Sequence, residues 1–150
     1  MEKIALITGA SGGLGKAAGK RLKAAGWIIV RVGRTQQRLE DWDDADDISI
    51  VAEVSTTDGA NFAIERCEEL GGKPPAGLVN CAGSVVILPM HRTKEEHYRQ
   101  IIRDNLDTAF FTPRAFVNAL IRSKQSGAAV LVSSVAARIG IANHEVIGAL

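Results

Sequence analysis

Short continuous apolar runs alternate with segments whose apolar residues recur at three- and four-residue spacing, from one end of this 150-residue chain to the other. Ile4-Ala5-Leu6-Ile7, closed by Gly9, reads as a strand buried on both faces. Leu14, Ala17, Ala18, Leu22 and Ala25 then fall on one helical face, and Gly26 is placed to end that helix. Trp27 to Val32 and Ile48 to Ala52 are the next two strands. A second helix presents Ala60, Ala63, Ile64, Cys67 and Leu70 and stops at Gly71-Gly72, and Pro74-Pro75 leads into a fourth strand, Gly77 to Asn80. Thr93 and Glu96 form a T-x-x-E capping box for a helix running to about Asp104. A further helix carries Leu106, Phe110, Phe116, Ala119 and Leu120, with Pro113 bending it or sitting in an irregular turn. Ala128 to Val132 is the fifth strand, and Glu145 to Leu150 opens another helix.

Strand and helix in strict alternation predict an α/β fold, a doubly wound parallel sheet of Rossmann type with about five strands and helices on both faces. The length suits one domain over residues 1–150. Between the second and third strands, residues 40–47 contain six acids in eight, read as a solvated connection.

Composition narrows the partners. Eighteen basic and seventeen acidic side chains leave a net charge of +1, which gives no reason to expect nucleic acid or an anionic membrane. No apolar run approaches the length that spans a bilayer, and the first one is too short for a signal peptide. Two cysteines, Cys67 and Cys81, make no disulfide framework and suit a reducing compartment. The expectation is a soluble cytoplasmic protein. His91, His97 and His144 lack metal-ligand spacing, and the acidic run lacks the D-x-D-x-D-G pattern of a calcium loop, so no metal site is expected.

The turn Thr8-Gly9-Ala10-Ser11-Gly12-Gly13-Leu14-Gly15 joins the first strand to the first helix. Glycines there let backbone N–H groups approach a pyrophosphate at the positive end of a helix. A phosphate-binding P-loop is excluded, because Ala10 stands where its first glycine belongs and Ala17 where Ser or Thr would hold magnesium. A plain cluster of turn glycines is the remaining alternative.

Gly9-x-x-x-Gly13-x-Gly15 after Thr8 instead matches T-G-x-x-x-G-x-G, and in this the chain resembles the short-chain dehydrogenase/reductase family. Three more segments follow in the family's order and spacing. Asn80-Cys81-Ala82-Gly83 resembles N-N-A-G, Asn105-Leu106 its helical asparagine, and Val132-Ser133-Ser134-Val135-Ala136 its catalytic-serine segment. The resemblance implies a nicotinamide dinucleotide held by Gly9, Ser11, Gly13, Leu14 and Gly15 at the phosphates and by Asn80, Ala82 and Gly83 nearer the nicotinamide. Glu53-Val54 stands where the family has Asp-Val beside the adenine. After the second strand comes Val32-Gly33-Arg34, with no acid for a ribose 2′-hydroxyl and an arginine suited to a 2′-phosphate, which favours NADP over NAD. Arg34 or Arg38 paired with the acidic run is the alternative.

The implied chemistry is hydride transfer between nicotinamide and a small carbonyl or alcohol substrate. Ser134 would hold the substrate oxygen and Asn105 would anchor a proton path. For Ser134, a strand-end hydroxyl bonded to its own backbone is the alternative. The family's general acid is a tyrosine in Y-x-x-x-K about a dozen residues past the serine, with its pKa lowered by the lysine. Counting on from Ser134 puts Ile147 at the tyrosine place, and the lysine place falls just past Leu150. Tyr98 lies far upstream, as a surface or packing residue. His144 and Glu145 can titrate, although a loop histidine is ordinarily just solvated. The family is longer than this chain and commonly pairs subunits. The resemblance therefore implies a shortened domain, a homo-oligomer, and an oxidoreductase, with a dinucleotide-binding module that has lost catalysis, or a scaffold fragment that binds no cofactor, as the alternatives.

Overall fold

The computed structural model describes residues 3–40 and 47–150. Most of the acidic run, residues 41–46, lies outside them. Five strands, β1 (Lys3–Thr8), β2 (Trp27–Gly33), β3 (Ile48–Val51), β4 (Gly77–Asn80) and β5 (Ala128–Leu131), form one parallel sheet in the order β3-β2-β1-β4-β5. The α/β, doubly wound prediction holds, with strand ends within a residue or two of those expected.

Side chains of a strand alternate between sheet faces, and each face has its own core. Ile4, Leu6, Val30, Val32, Ile50 and Leu78 pack under α3 (Thr57–Gly71) and α5 (Thr108–Ser123), where Ile64, Cys67 and Phe116 complete the cluster. Ala5, Ile7 and Ile29 face the other way, against Leu22 of α1 (Gly13–Ala24) and Leu39 of the short α2 (Gln36–Glu40), a helix too brief to leave a periodic signal. The α3 face is the predicted one except that Leu70 is exposed, and the helix ends with Gly72 in the left-handed conformation.

Two helical expectations need correction. In α1 the buried positions are Gly15 and Gly19, while Leu14 is 55% exposed. The helix lies so close to the chain that a Cβ on Gly15 would stand 2.5 Å from the Gly9 carbonyl oxygen, so Gly15 and Gly19 form the closest contact, with Leu22 of the predicted stripe packing beside them. The segment after residue 93 is one helical run, not two. It starts with α4 (Glu95–Ile101), widens to a π segment (Ile102–Asp107), and continues as α5. Thr93 does not cap it: its hydroxyl donates to the Pro89 carbonyl, and the Lys94 N–H donates instead to His97 Nδ1. Pro113 lies inside α5 without ending it, and Leu106 and Phe110 are exposed.

Beyond β4, β5 forms the sheet edge, with Val130, Leu131 and Val132 each about half exposed. Two short turns follow the edge strand, a 3₁₀ turn at Val135–Ala137 and a last helical turn, α6 (Glu145–Gly148). No helix among the described residues is long and apolar enough to cross a membrane.

Candidate functional site

From β1 the chain winds outward through β2 and β3 on one side and returns through β4 and β5 on the other. At such a reversal the loops leaving β1 and β4 part, and a crevice opens at the carboxyl ends of the strands. Here the two loops are pinned at their roots. The Thr8 hydroxyl donates to Asn80 Oδ1 at 2.6 Å and accepts from the Ala82 N–H at 3.2 Å, and the Thr8 carbonyl accepts from the Cys81 N–H. Asn80 is thus buried beneath the crevice and does not line it.

A cavity of about 510 Å³ occupies the crevice, within the range of small-molecule sites. Of the residues singled out in the sequence, Gly9, Ser11, Arg34, Glu53, Val54, Ala82 and Gly83 line it. Gly13, Leu14 and Gly15 do not line it; they form the first turn of α1 at its edge. Gly12 caps that helix and has no side chain to bond the first-turn N–H groups, which have no partner within the helix itself. A Cβ on Gly13 would project into open space. An uncapped helix start facing an open cradle fits the pyrophosphate of a dinucleotide. Gly9 is held at φ +60°.

Arg34 and Arg38 bring positive charge to the outer part of the cavity. Arg34 is not bonded to the acidic connection among the described residues; its Nη1 lies 3.3 Å from Oδ1 of Asp104, a carboxylate only 6% exposed. Ser84 Oγ donates to the other oxygen of Asp104 at 2.8 Å. Sequence reasoning missed Asp104, because an acid in a helical segment ordinarily faces water. The π segment turns it inward instead. Glu53, which lines the cavity, accepts from both the N–H and the hydroxyl of Ser55.

A second cavity, of about 620 Å³, adjoins the first and shares Cys81, Ala82 and Gly83 with it. Asn105, Ser133, Ser134, His144 and Ile147 are among its lining residues. Asn105 sits in the π segment, where backbone bonding shifts from i−4 to i−5. Its amide donates to the carbonyls of Ile101 and Ser84, both at 2.9 Å, and its oxygen accepts from the Ser84 N–H. That clamp fixes the loop after β4. It also explains Gly83, since a Cβ there would stand 2.8 Å from Asn105 Oδ1.

Ser134 Oγ accepts from the Ala136 N–H at 3.1 Å, capping the 3₁₀ turn. The local-backbone alternative for this serine is therefore present, yet the hydroxyl keeps its proton to donate into the cavity. Burial pushes the Cys81 thiol above its ordinary pKa, which disfavours the thiolate. Tyr98 lies on α4 and lines neither cavity. Among the described residues, no group of three or more His, Cys, Asp or Glu is placed to hold a metal ion.

Comparison with known proteins gives one family. The short chain dehydrogenase family model matches residues 3–149. The chain is 30% identical over 142 residues to an acetoacetyl-CoA reductase of Acinetobacter sp. (strain RA3849), covering 89% of this chain and 56% of the relative. It is 32% identical over 146 residues to an L-2,3-butanediol dehydrogenase of Corynebacterium glutamicum, covering 91% of this chain and 56% of that one. The crystal structure of a short chain dehydrogenase from Mycobacterium smegmatis superposes with a TM-score of 0.92 at 22% identity, over 99% of this chain and 64% of the other, and so shares the fold. The chain spans little more than half the length of the curated relatives it matches.

Proposed function

The chain belongs to the short-chain dehydrogenase/reductase family, and from that premise we propose that it binds NADP(H), with NAD(H) as the weaker ligand, and interconverts a small carbonyl compound and its alcohol. One observation carries the reading: the two cavities share a wall at Cys81, Ala82 and Gly83. The start of α1 would hold the pyrophosphate of a dinucleotide, Val54 and Arg34 its adenosine end, and Ala82 and Gly83 its other end. When bound, the nicotinamide supplies a hydride donor or acceptor beside the second cavity.

The chain's own residues divide the remaining work. The first-turn N–H groups of α1 hold phosphate, and Arg34 offers its fork to a 2′-phosphate. For that contact Arg34 exchanges one oxygen of Asp104 for a phosphate oxygen, a charge-for-charge substitution at the cavity edge. Ser134 donates its hydroxyl proton to the substrate oxygen, and Asn105 keeps the loop after β4 in place. A homo-oligomer belongs to the same reading, supported by Phe110, Val117 and Ile121, which lie exposed along one side of α5.

A second reading, a dinucleotide-binding module without catalysis, is favoured by Ile147, an aliphatic residue in the second cavity. Two measurements separate them. NADPH at 100 times its Kd stabilises by about 2.7 kcal/mol, raising the Tm by roughly 5–11 °C for a chain of this length; an unmoved Tm at millimolar NADPH removes both readings. Oxidation of NADPH with 2,3-butanedione or ethyl acetoacetate then supports the enzyme, and stabilisation with no turnover supports the module.

A further inference from the structure

Hydride transfer to a carbonyl leaves an alkoxide unless a proton arrives with it. The second cavity is lined by Ser134, whose hydroxyl can hold that oxygen, and by Ile147, which has no proton to exchange. Among its lining residues, two side chains titrate, Cys81 and His144. Cys81 is held back by burial, as above.

His144 is differently placed. Its Nδ1 lies 2.8 Å from the Ala142 carbonyl oxygen. A carbonyl can only accept, so Nδ1 carries a proton in both charge states of the ring, and Nε2 is the atom that gains and loses one. The residue is half-buried, so the ring can recover its proton from water. It is also fixed relative to Ser134. His144 caps α6, its carbonyl accepting from the Gly148 N–H at 2.8 Å. Gly148 in turn lies close enough to the turn after Ser134 that a Cβ would stand 3.1 Å from the Ala136 carbonyl oxygen. The two side chains therefore sit on turns packed against each other.

We propose that His144 is the proton donor of the second cavity. The carbonyl carbon takes a hydride from a reduced nicotinamide, the π pair of the C=O bond moves to oxygen, and that oxygen takes the Nε2 proton of the imidazolium. Alcohol, oxidised nicotinamide and neutral imidazole result, and solvent reprotonates the ring. In the oxidative direction neutral Nε2 accepts the hydroxyl proton. A phenol needs a neighbouring cation to act as an acid at neutral pH, whereas an imidazole exchanges a proton without one. His144 thus supplies the chemistry that Ile147 lacks without requiring a partner ammonium. This inference rests on the oxidoreductase reading above.

The test compares the wild-type protein with His144→Ala and His144→Gln. NADPH binding, followed by the Tm shift, is expected to be the same in all three, because His144 lines the second cavity and not the first. Reduction of 2,3-butanedione and ethyl acetoacetate is expected to fall about 100-fold or more in kcat in both variants, the range of a lost general acid. Added imidazole should restore at least tenfold in the alanine variant, whose space admits it, and little in the glutamine variant. Independently of turnover, imidazole ¹⁵N resonances should report the Nδ1–H form of His144 and a shift at Nε2 when 2,3-butanediol is added to the NADP⁺ complex. Kcat within threefold of wild type in His144→Ala, failure of imidazole to rescue, or an unmoved Nε2 resonance would each overturn the assignment. NADPH binding with no turnover in the wild type overturns this inference and leaves the binding reading intact. Absence of binding removes both.

Discussion

Gly9→Ala tests the foundation of the site. Gly9 is held at φ +60°, and a Cβ placed on it meets the Cys81 carbonyl oxygen at 2.6 Å and the Ala82 nitrogen at 2.7 Å. The left-handed backbone costs an alanine about 1–2 kcal/mol. The clash is with backbone that is itself anchored, since Cys81 and Ala82 both donate to Thr8. Relief therefore requires parting β1 from β4, an overpacking cost of about 1–3 kcal/mol. Together these give about 2–5 kcal/mol, or roughly 4–20 °C in Tm.

Two other glycines make the test discriminating. Gly26 has φ +81° but open space around its missing Cβ, so Gly26→Ala carries the conformational cost alone, about 1–2 kcal/mol. Gly13 has neither a positive φ nor a neighbour within 4 Å. Gly13→Ala should leave the Tm unchanged or slightly raised, as expected for alanine in a helix. Its methyl would nevertheless stand at the start of α1, where the pyrophosphate belongs, and losing one charge-assisted bond there, about 1.5–3 kcal/mol, weakens NADPH roughly 10- to 150-fold. Differential scanning fluorimetry with and without NADPH reads all three variants. Equal destabilisation by Gly9→Ala and Gly26→Ala refutes the steric argument, and an unchanged NADPH Kd in Gly13→Ala refutes the placement of the phosphates.

Arg34→Ala should weaken NADPH by about 10- to 150-fold while changing NADH much less, since one charge-assisted phosphate contact is worth about 1.5–3 kcal/mol; equal losses for the two cofactors in fluorescence titrations would show that Arg34 does not read the 2′-phosphate. Burial, with Glu68 nearby, pushes the Cys67 thiol up to about 12 from an ordinary value of 9.0. Because the folded pKa is the higher one, the neutral thiol's contribution is complete below pH 9 and is lost as pH rises from about 9 towards 12. The stability advantage of wild type over Cys67→Ala in urea unfolding should accordingly shrink between pH 9 and pH 11, and a constant difference would contradict this. Phe110→Glu combined with Ile121→Lys should lower the sedimentation coefficient of any homo-oligomer without affecting the Tm of the monomer, because both side chains are more than half exposed; an unchanged assembly would place the subunit contact elsewhere.

What the sequence determined by itself was the part of the molecule governed by local rules. Buried parallel strands must be continuously apolar, as Ile4 to Ile7 are, and the turn after β1 keeps side chains out of the way at Gly9 and Gly13, as the proposed phosphate site requires. Those rules act over a few residues, so the succession of strands along the chain and its glycine turn could be read directly. The tertiary structure decided everything that depends on two distant segments meeting. Asp104 looks like an ordinary helical acid, and Asn105 is marked only by its motif, until the π segment turns one toward Arg34 and the other onto Ser84, residues 70 and 21 positions away. The contact face of α1 was misread for the same reason, since closeness to Gly9 rather than helical periodicity selects Gly15. So too with the proton partner: the sequence shows that Ile147 is no acid, but only the packing of α6 against the turn after Ser134 brings His144 into the same cavity. Periodicity records how a segment meets the core as a whole; which particular atoms share a cavity is set by the sheet that carries their loops.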